Sequence, residues 1–254
     1  MGKPFYIVAN WKMHKTRREA LDFVDTLTIL EPSLEHVMIA APATTLFDLS
    51  SHVEGSDLKI GAQDLSMHKA GPYTGELSAR MLVDAGAFFS IVGHSERRLH
   101  HQETSEHIRD KLKRCAEEGI LPILCVGETL NQKEQGLTQE VIQKQLLDAL
   151  EQWDFSLDKS FYISYEPVWA IGTGHIATLE VIEQVHSFIK KILAERFSQP
   201  FSCQIPVLYG GSVTLSSIER LAESSYIDGV LVGGASLDPQ IFANIIKTSR
   251  DIKR

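Results

Sequence analysis

Eight times along this chain a short apolar run, rich in β-branched residues, stops on a polar residue or a glycine and is followed by a stretch with helical spacing. Short non-alternating strands suit a parallel sheet covered on both faces, and each parallel pair needs a crossover helix. The runs are Phe5 to Ala9, Val37 to Ala41, Lys59 to Gln63, Phe88 to Val92, Ile120 to Val126, Phe161 onward to Glu166, Ile205 to Tyr209 and Val230 to Val232. The helical stretches between them are a face with Ala20, Leu21, Phe23, Val24 and Leu27; one carrying Leu46, Leu49 and Val53, with Thr44 or Thr45 as its cap; Ser78 to Ala85; Glu103 to Glu118, closed by Gly119; Thr138 to Leu150; Thr178 to Phe197; Leu215 to Glu223; and Pro239 to Lys247. Eight such units in 254 residues, with no composition break, predict a single α/β domain over 1–254 folded as a (β/α)₈ barrel.

In a closed barrel of this kind every strand delivers its C-terminal end to one rim, where barrel enzymes place their chemistry. The residues at those ends are Asn10 and Lys12, Gln63, His94, Glu128, Glu166, Gly210 to Ser212, and Gly233 with Gly234. One rim thus gathers acids, an imidazole, a cation and two glycine turns. The stretch Phe161 to Ala177 is the most informative, because it ends a strand on Glu166, follows it with Pro167, and then flanks Thr173 with Gly172 and Gly174. Stiff pieces on both sides of a glycine-bearing segment make a lid with two hinges, with Glu166 at its root. The competing reading is an ordinary strand-to-helix turn whose acid caps the next helix.

A carboxylate shielded from water suits proton abstraction from carbon beside a carbonyl. His94 stands where strand gives way to helix, so amides at the helix start favour its neutral form, suited to donating a hydrogen bond to a carbonyl oxygen. His14, His36, His52, His68 and His186 read as ordinary structural or surface histidines, and His100, His101 and His107 lack the spacing of a metal set. Lys12 shares a face with Asn10 and either pairs with an acid, meets an anion, or serves as a Schiff-base lysine. The glycine pairs of the last two strands lead into helix starts, whose free amides bind phosphate without a basic side chain. A net charge of −8 makes such a local site necessary for any phosphorylated partner and argues against nucleic acid and anionic membranes. Three cysteines without CxxC spacing, no signal-type N-terminus and no membrane-length apolar run point to the cytoplasm.

NWKM at Asn10 to Met13, VGHSERR at Val92 to Arg98, CVGE at Cys125 to Glu128, YEPVWAIGTG at Tyr165 to Gly174, YGGSV at Tyr209 to Val213 and VGGASL at Val232 to Leu237 together resemble the triosephosphate isomerase family, in order and across nearly the whole chain. That family is itself a standard case of a glutamate base, a neutral histidine and a closing loop on a TIM barrel. The resemblance implies a cofactor-free glycolytic and gluconeogenic isomerase that interconverts dihydroxyacetone phosphate and glyceraldehyde 3-phosphate as a homodimer. It also implies Glu166 as base, His94 as electrophile, and Lys12 and Asn10 as the groups that polarise substrate and enediolate. Glu96 matches an acid near Lys12. Gly172, Ser212, Gly233 and Gly234 match phosphate-binding backbone, and Tyr209 with Ser212 and Ala177 the latch of the closed lid. The connection from Asp64 to Glu76 resembles an arm that enters a partner subunit and brings Thr74 toward that subunit's Asn10 and Lys12.

His14, Asp64, His175 and the HHQE run at His100 to Glu103 depart from the commoner family pattern, at positions that bear on the interface and the lid. Alternative functions compatible with the rim are an isomerase of a four-carbon ketose phosphate, a non-catalytic phosphate-binding barrel, and a Schiff-base lyase using Lys12.

Overall fold

The computed structural model describes residues 3–153, 160–171, 177–197 and 203–253. Eight parallel strands close into a barrel in sequence order: β1 Tyr6–Asn10, β2 Val37–Ala41, β3 Lys59–Ala62, β4 Phe89–Val92, β5 Leu121–Val126, β6 Tyr162–Tyr165, β7 Val207–Tyr209 and β8 Gly229–Val232. β1 pairs with both β2 and β8, so the first and last strands seal the cylinder, and the (β/α)₈ expectation holds. The helices are α1 Arg17–Leu30, α2 Ala43–His52, α3 Ala79–Asp84, α4 Ser95–His100, α5 Ser105–Glu118, α6 Leu130–Glu134, α7 Thr138–Ala149, α8 Leu179–Arg196, α9 Leu215–Glu223 and α10 Pro239–Lys253.

The local boundaries follow capping chemistry. α2 starts two residues earlier than a Thr44 cap allows and three earlier than a Thr45 cap: Pro42, with φ −55°, is its N-cap, and Thr45 instead donates its hydroxyl to the Pro42 carbonyl at 2.9 Å. The helix expected from Glu103 begins at Ser105, because Thr104 accepts from the His107 amide and Glu103 is drawn inward to Arg97 and Lys111. The short helices α4 and α6 were not expected, and α10 runs six residues past Lys247, its inner face carrying buried Phe242, Ala243, Ile245, Ile246 and Ser249. β7 starts at Val207, after Pro206, which has no amide for the ladder.

Alternation along each strand sorts side chains into two cores. Val8, Met38, Ala40, Phe89, Ile91, Ile123, Cys125, Leu208 and Leu231 fill the barrel interior, while the larger cluster packs the outer strand faces against the helices. Gly61 is what lets the Phe89 ring into the interior, since a Cβ there would sit 2.3 Å from Phe89 Cδ1. The same parity turns the residue at the mouth of a strand inward: Asn10 follows Val8, Glu166 follows Ser164, Gly210 follows Leu208 and Gly233 follows Leu231.

His186, on α8, is fully buried, with Nδ1 at 3.2 Å from the Tyr226 carbonyl and its ring edge-on to Tyr165. Burial lowers its pKa from 6.5 to about 4, against the raising effect of that carbonyl and of Asp228. The unfolded chain therefore takes up this proton first as pH falls. The contribution is intact above about pH 6.5 and declines toward pH 4, by up to on the order of 3 kcal/mol. Chemical denaturation across that window is expected to show falling stability in the native protein and a flatter profile in His186→Asn.

Candidate active site

The mouth of the barrel opens into a cavity of about 300 Å³ lined by Asn10, Lys12, His94, Ile171, Gly210 to Thr214, Leu231 and Gly233 to Ala235. Asn10 is buried at the end of β1 and its Oδ1 accepts from the Lys12 amide at 3.0 Å. Lys12 takes a left-handed backbone, φ +52°, which costs a non-glycine residue about 1–3 kcal/mol. The Gln63 side-chain amide holds it there, donating to the Lys12 carbonyl at 2.8 Å and to the Ala40 carbonyl at 3.1 Å. The strained turn swings the Lys12 ammonium over the mouth, where it donates to Glu96 Oε1 at 2.5 Å. Burial raises the Glu96 pKa, but the Lys12 hydrogen bond and charge, with His94 and His100, outweigh it and hold the carboxyl below its usual range.

His94 is the N-cap of α4, and its Nδ1 accepts from the Glu96 amide at 3.2 Å. A ring nitrogen that accepts is unprotonated, so the neutral ring carries its proton on Nε2. Nε2 lies 3.5 Å from Glu166 Oε1, and the second carboxylate oxygen accepts from the Ser95 amide at 3.1 Å. Glu166 is 1% exposed and Oε1 has no hydrogen bond among the described residues. A buried carboxylate with a free oxygen is costly to hold in place and suits a group that exchanges protons. As found, Glu166 is turned against the start of α4 and does not line the cavity beside it.

Backbone contacts set where Glu166 emerges. Its amide donates to the Val126 carbonyl at 2.7 Å, and the Val168 amide to the Glu128 carbonyl at 3.1 Å. Gly127 lies under this crossing: a Cβ there would be 1.7 Å from the Glu166 carbonyl oxygen, and Gln145 pins the glycine by bonds of 2.8 and 3.0 Å to its N–H and C=O. Glu128 turns outward and takes Trp169 Nε1–H at 2.8 Å and the Tyr165 hydroxyl at 3.2 Å.

The opposite wall is backbone. Gly210 and Gly211 follow β7 toward α9, capped at Thr214, and Gly233 precedes the 3₁₀ turn Gly234–Ser236. The first amides of a helical turn have no partner within it and bear partial positive charge, so both turns suit an anion. Ser212 lines the same cavity, and a Cβ at Gly233 would sit 3.7 Å from Lys12 Cε. Tyr209 is buried below. Burial raises its pKa to about 12 against the lowering effect of the Ala177 backbone, and Ala177 and Tyr209 border one hollow.

The structure thus brings together Asn10, Lys12, His94, Glu96, Ser212, Gly233 and Gly234, with Glu166 adjoining. Gly172 and His175 fall outside the described residues. Thr74 is exposed on the connection after β3 and lines no part of this cavity. Gln63, Gln145, Gly127 and the Ser95 amide were missed as supports. Gln63 stands at a strand end and Gly127 and Ser95 within the CVGE and VGHSERR runs, but the contacts all four make act across separations of 18 to 71 residues that no local pattern reports.

Lys12, Asn10 and His94 also form one wall of a second hollow, a groove of about 570 Å³ bordered by Met13, Asp64, Glu76, Arg97, His100 and His101. Behind it Lys111, 4% exposed, meets Asp64 at 2.6 Å and Glu103, and Arg97 meets Asp64 at 2.8 Å and Glu103. Asp64 therefore matches two acids to two cations in a largely buried cluster.

A Gly127→Ala enzyme is expected to lose activity about 100-fold, since a Cβ must push the Glu166 backbone aside. Steady-state rates at a temperature where circular dichroism shows the variant folded check this.

The family model described as triosephosphate isomerase matches residues 5–249. The triosephosphate isomerase of Dictyoglomus thermophilum is 43% identical over 244 residues, covering 95% of this chain and 98% of the relative. That of Thermus thermophilus is 44% identical over 242 residues, covering 95% and 97%. The crystal structure of triosephosphate isomerase from Bartonella henselae superposes with a TM-score of 0.87 at 34% identity, covering 98% of this chain and 99% of that one. On this profile, on these identities and on the closed barrel that carries the site, the chain belongs to the triosephosphate isomerase family.

Proposed function

We propose that this site interconverts dihydroxyacetone phosphate and D-glyceraldehyde 3-phosphate by proton transfer through an enediolate. The observation that carries the reading is a neutral imidazole N–H and a lysine ammonium lining one small cavity with an amide-lined far wall, with a buried carboxylate oxygen 3.5 Å from that imidazole and without a hydrogen bond among the described residues. Glu166 takes the proton from the hydroxyl-bearing carbon beside the carbonyl and returns it to the neighbouring carbon, while the hydroxyl proton passes from one oxygen of the enediolate to the other, so the enzyme ends unchanged. To do so its side chain leaves the Ser95 amide and turns into the cavity. His94 donates from Nε2 to the oxygen on which charge develops, and Lys12 with the Asn10 side chain stabilises the oxyanion and the bound phosphate. Glu96 orients Lys12, and Ser212, Gly233 and Gly234 hold the phosphate through their backbone; Gly172 joins them in this reading from the segment outside the described residues. Tyr209 and Ala177 fasten the cover that excludes water and so keeps the enediolate from losing phosphate. No cofactor enters any step.

The functional unit in this reading is a homodimer of single-domain subunits. Met13, 95% exposed, stands at the border of the groove beside Lys12, and a large apolar side chain so placed supports an interface there. The groove suits the connection from Asp64 to Glu76 of a second copy, which would carry its Thr74 to Asn10 and Lys12. Among the described residues no helix is long and apolar enough to cross a membrane, and Cys115, Cys125 and Cys203 are free thiols, which supports the cytoplasm as the compartment.

Two measurements test these assignments. Glu166→Gln is expected to lower kcat by about 100- to 10,000-fold in a coupled assay with dihydroxyacetone phosphate while still binding 2-phosphoglycolate; retention of near-native turnover would remove Glu166 from the base's role. Met13→Asp is expected to shift sedimentation from dimer to monomer and to lower kcat with it, and a fully active, unshifted variant would place the interface elsewhere.

A further inference from the structure

The 3₁₀ turn Val168–Ala170 follows directly on Glu166 and Pro167, and its Trp169 is held on two sides. The edge of the indole donates from Nε1 to Glu128, and over its face stands the ammonium of Lys133, 3.2 Å from the ring centroid. Lys133 is half-buried on α6, an element otherwise without a place in the reaction. A cation over an indole face is attracted by the ring's electron density, more strongly as water is displaced. Pro167 and the tight turn leave little slack between Glu166 and Trp169, so the position of the ring biases the direction of the carboxylate. In this arrangement Glu166 is bound to the Ser95 amide, away from the cavity.

We propose that Lys133 is a positioning residue that clamps Trp169 and thereby holds Glu166 in its resting orientation until substrate draws it over. The functional half of this inference rests on the isomerase reading above; the clamp itself does not. Ligand that requires Glu166 to turn inward must work against the clamp, so removing the cation strengthens binding of that ligand.

The test uses the full chain with Lys133→Met, which keeps the stem and removes the charge, Lys133→Arg, which keeps a cation, and Lys133→Gln as a second neutral form. In ligand-free protein labelled with 5-fluorotryptophan, the Trp169 fluorine resonance, assigned by Trp169→Phe, is expected to shift and broaden in the neutral variants and to return toward the native position in the arginine variant. A resonance unmoved by loss of the charge overturns the clamp. Titration with 2-phosphoglycolate is then expected to show about 3- to 30-fold tighter binding in the neutral variants and near-native binding with arginine, a range set by the strength of a cation held over an indole. Equal or weaker binding overturns the assignment of Lys133 to the resting state, even with a lowered melting temperature, because a merely structural role would move the latter alone. Failure of the native protein to turn over dihydroxyacetone phosphate would sink the isomerase reading and leave the fluorine experiment to decide the clamp.

Discussion

The hydrogen bonding of β1 to β8 is the constraint on which everything else depends. Without that seam the eight strands would form an open sheet with two unpaired edges, and the ends of the first, fourth, sixth and eighth strands could not face one another. With it, a residue two places beyond an interior-filling side chain lands inside the mouth. Asn10, Glu166, Gly210 and Gly233 are brought together by parity alone, although 223 positions of chain separate the first from the last.

The site accepts local costs that the barrel around it sustains. Lys12 occupies a left-handed backbone, and Glu166 is buried with one oxygen unbonded among the described residues. Each is held by atoms of another strand or helix: Gln63 holds Lys12, and the Ser95 amide holds the carboxylate. Such strain persists only where the surroundings over-determine the geometry, and here two adjoining hollows share Lys12, Asn10 and His94 as a common wall. Changes in the groove therefore reach Lys12, Asn10 and His94 by direct contact.

The strands were legible because parallel strands buried on both faces must be continuously apolar, and each was found within two residues of its expected limits. The helices α4 and α6 were not, since α4 buries Ser95 alone and α6 buries no residue, so neither has the apolar face that marked the similarly short α3 with Ala79 and Leu82. Glu103 was misread as a helix start because an acid before an amphipathic run has the composition of a first turn, whereas its burial against Lys111 and Arg97 depends on groups elsewhere in the fold. The lysine at position 12 was open among an acid partner, an anion and a Schiff-base role; it lies against Glu96, and the cavity beside it leaves the anion role compatible with that pairing.

By itself the order of residues determined that there would be eight strand and helix units, that their mouths would carry an acid, an imidazole, a lysine and two glycine turns, and that these stand in the pattern of one family. Those properties follow from nearest neighbours, from periodicity and from motif. Only the tertiary structure decided the direction in which Glu166 points, the approach of its carboxylate to His94 and the cation over Trp169. A backbone amide, a carboxylate and an ammonium reach these groups from other strands and loops, and the distances that set a hydrogen bond or a charge contact come into being when the barrel closes.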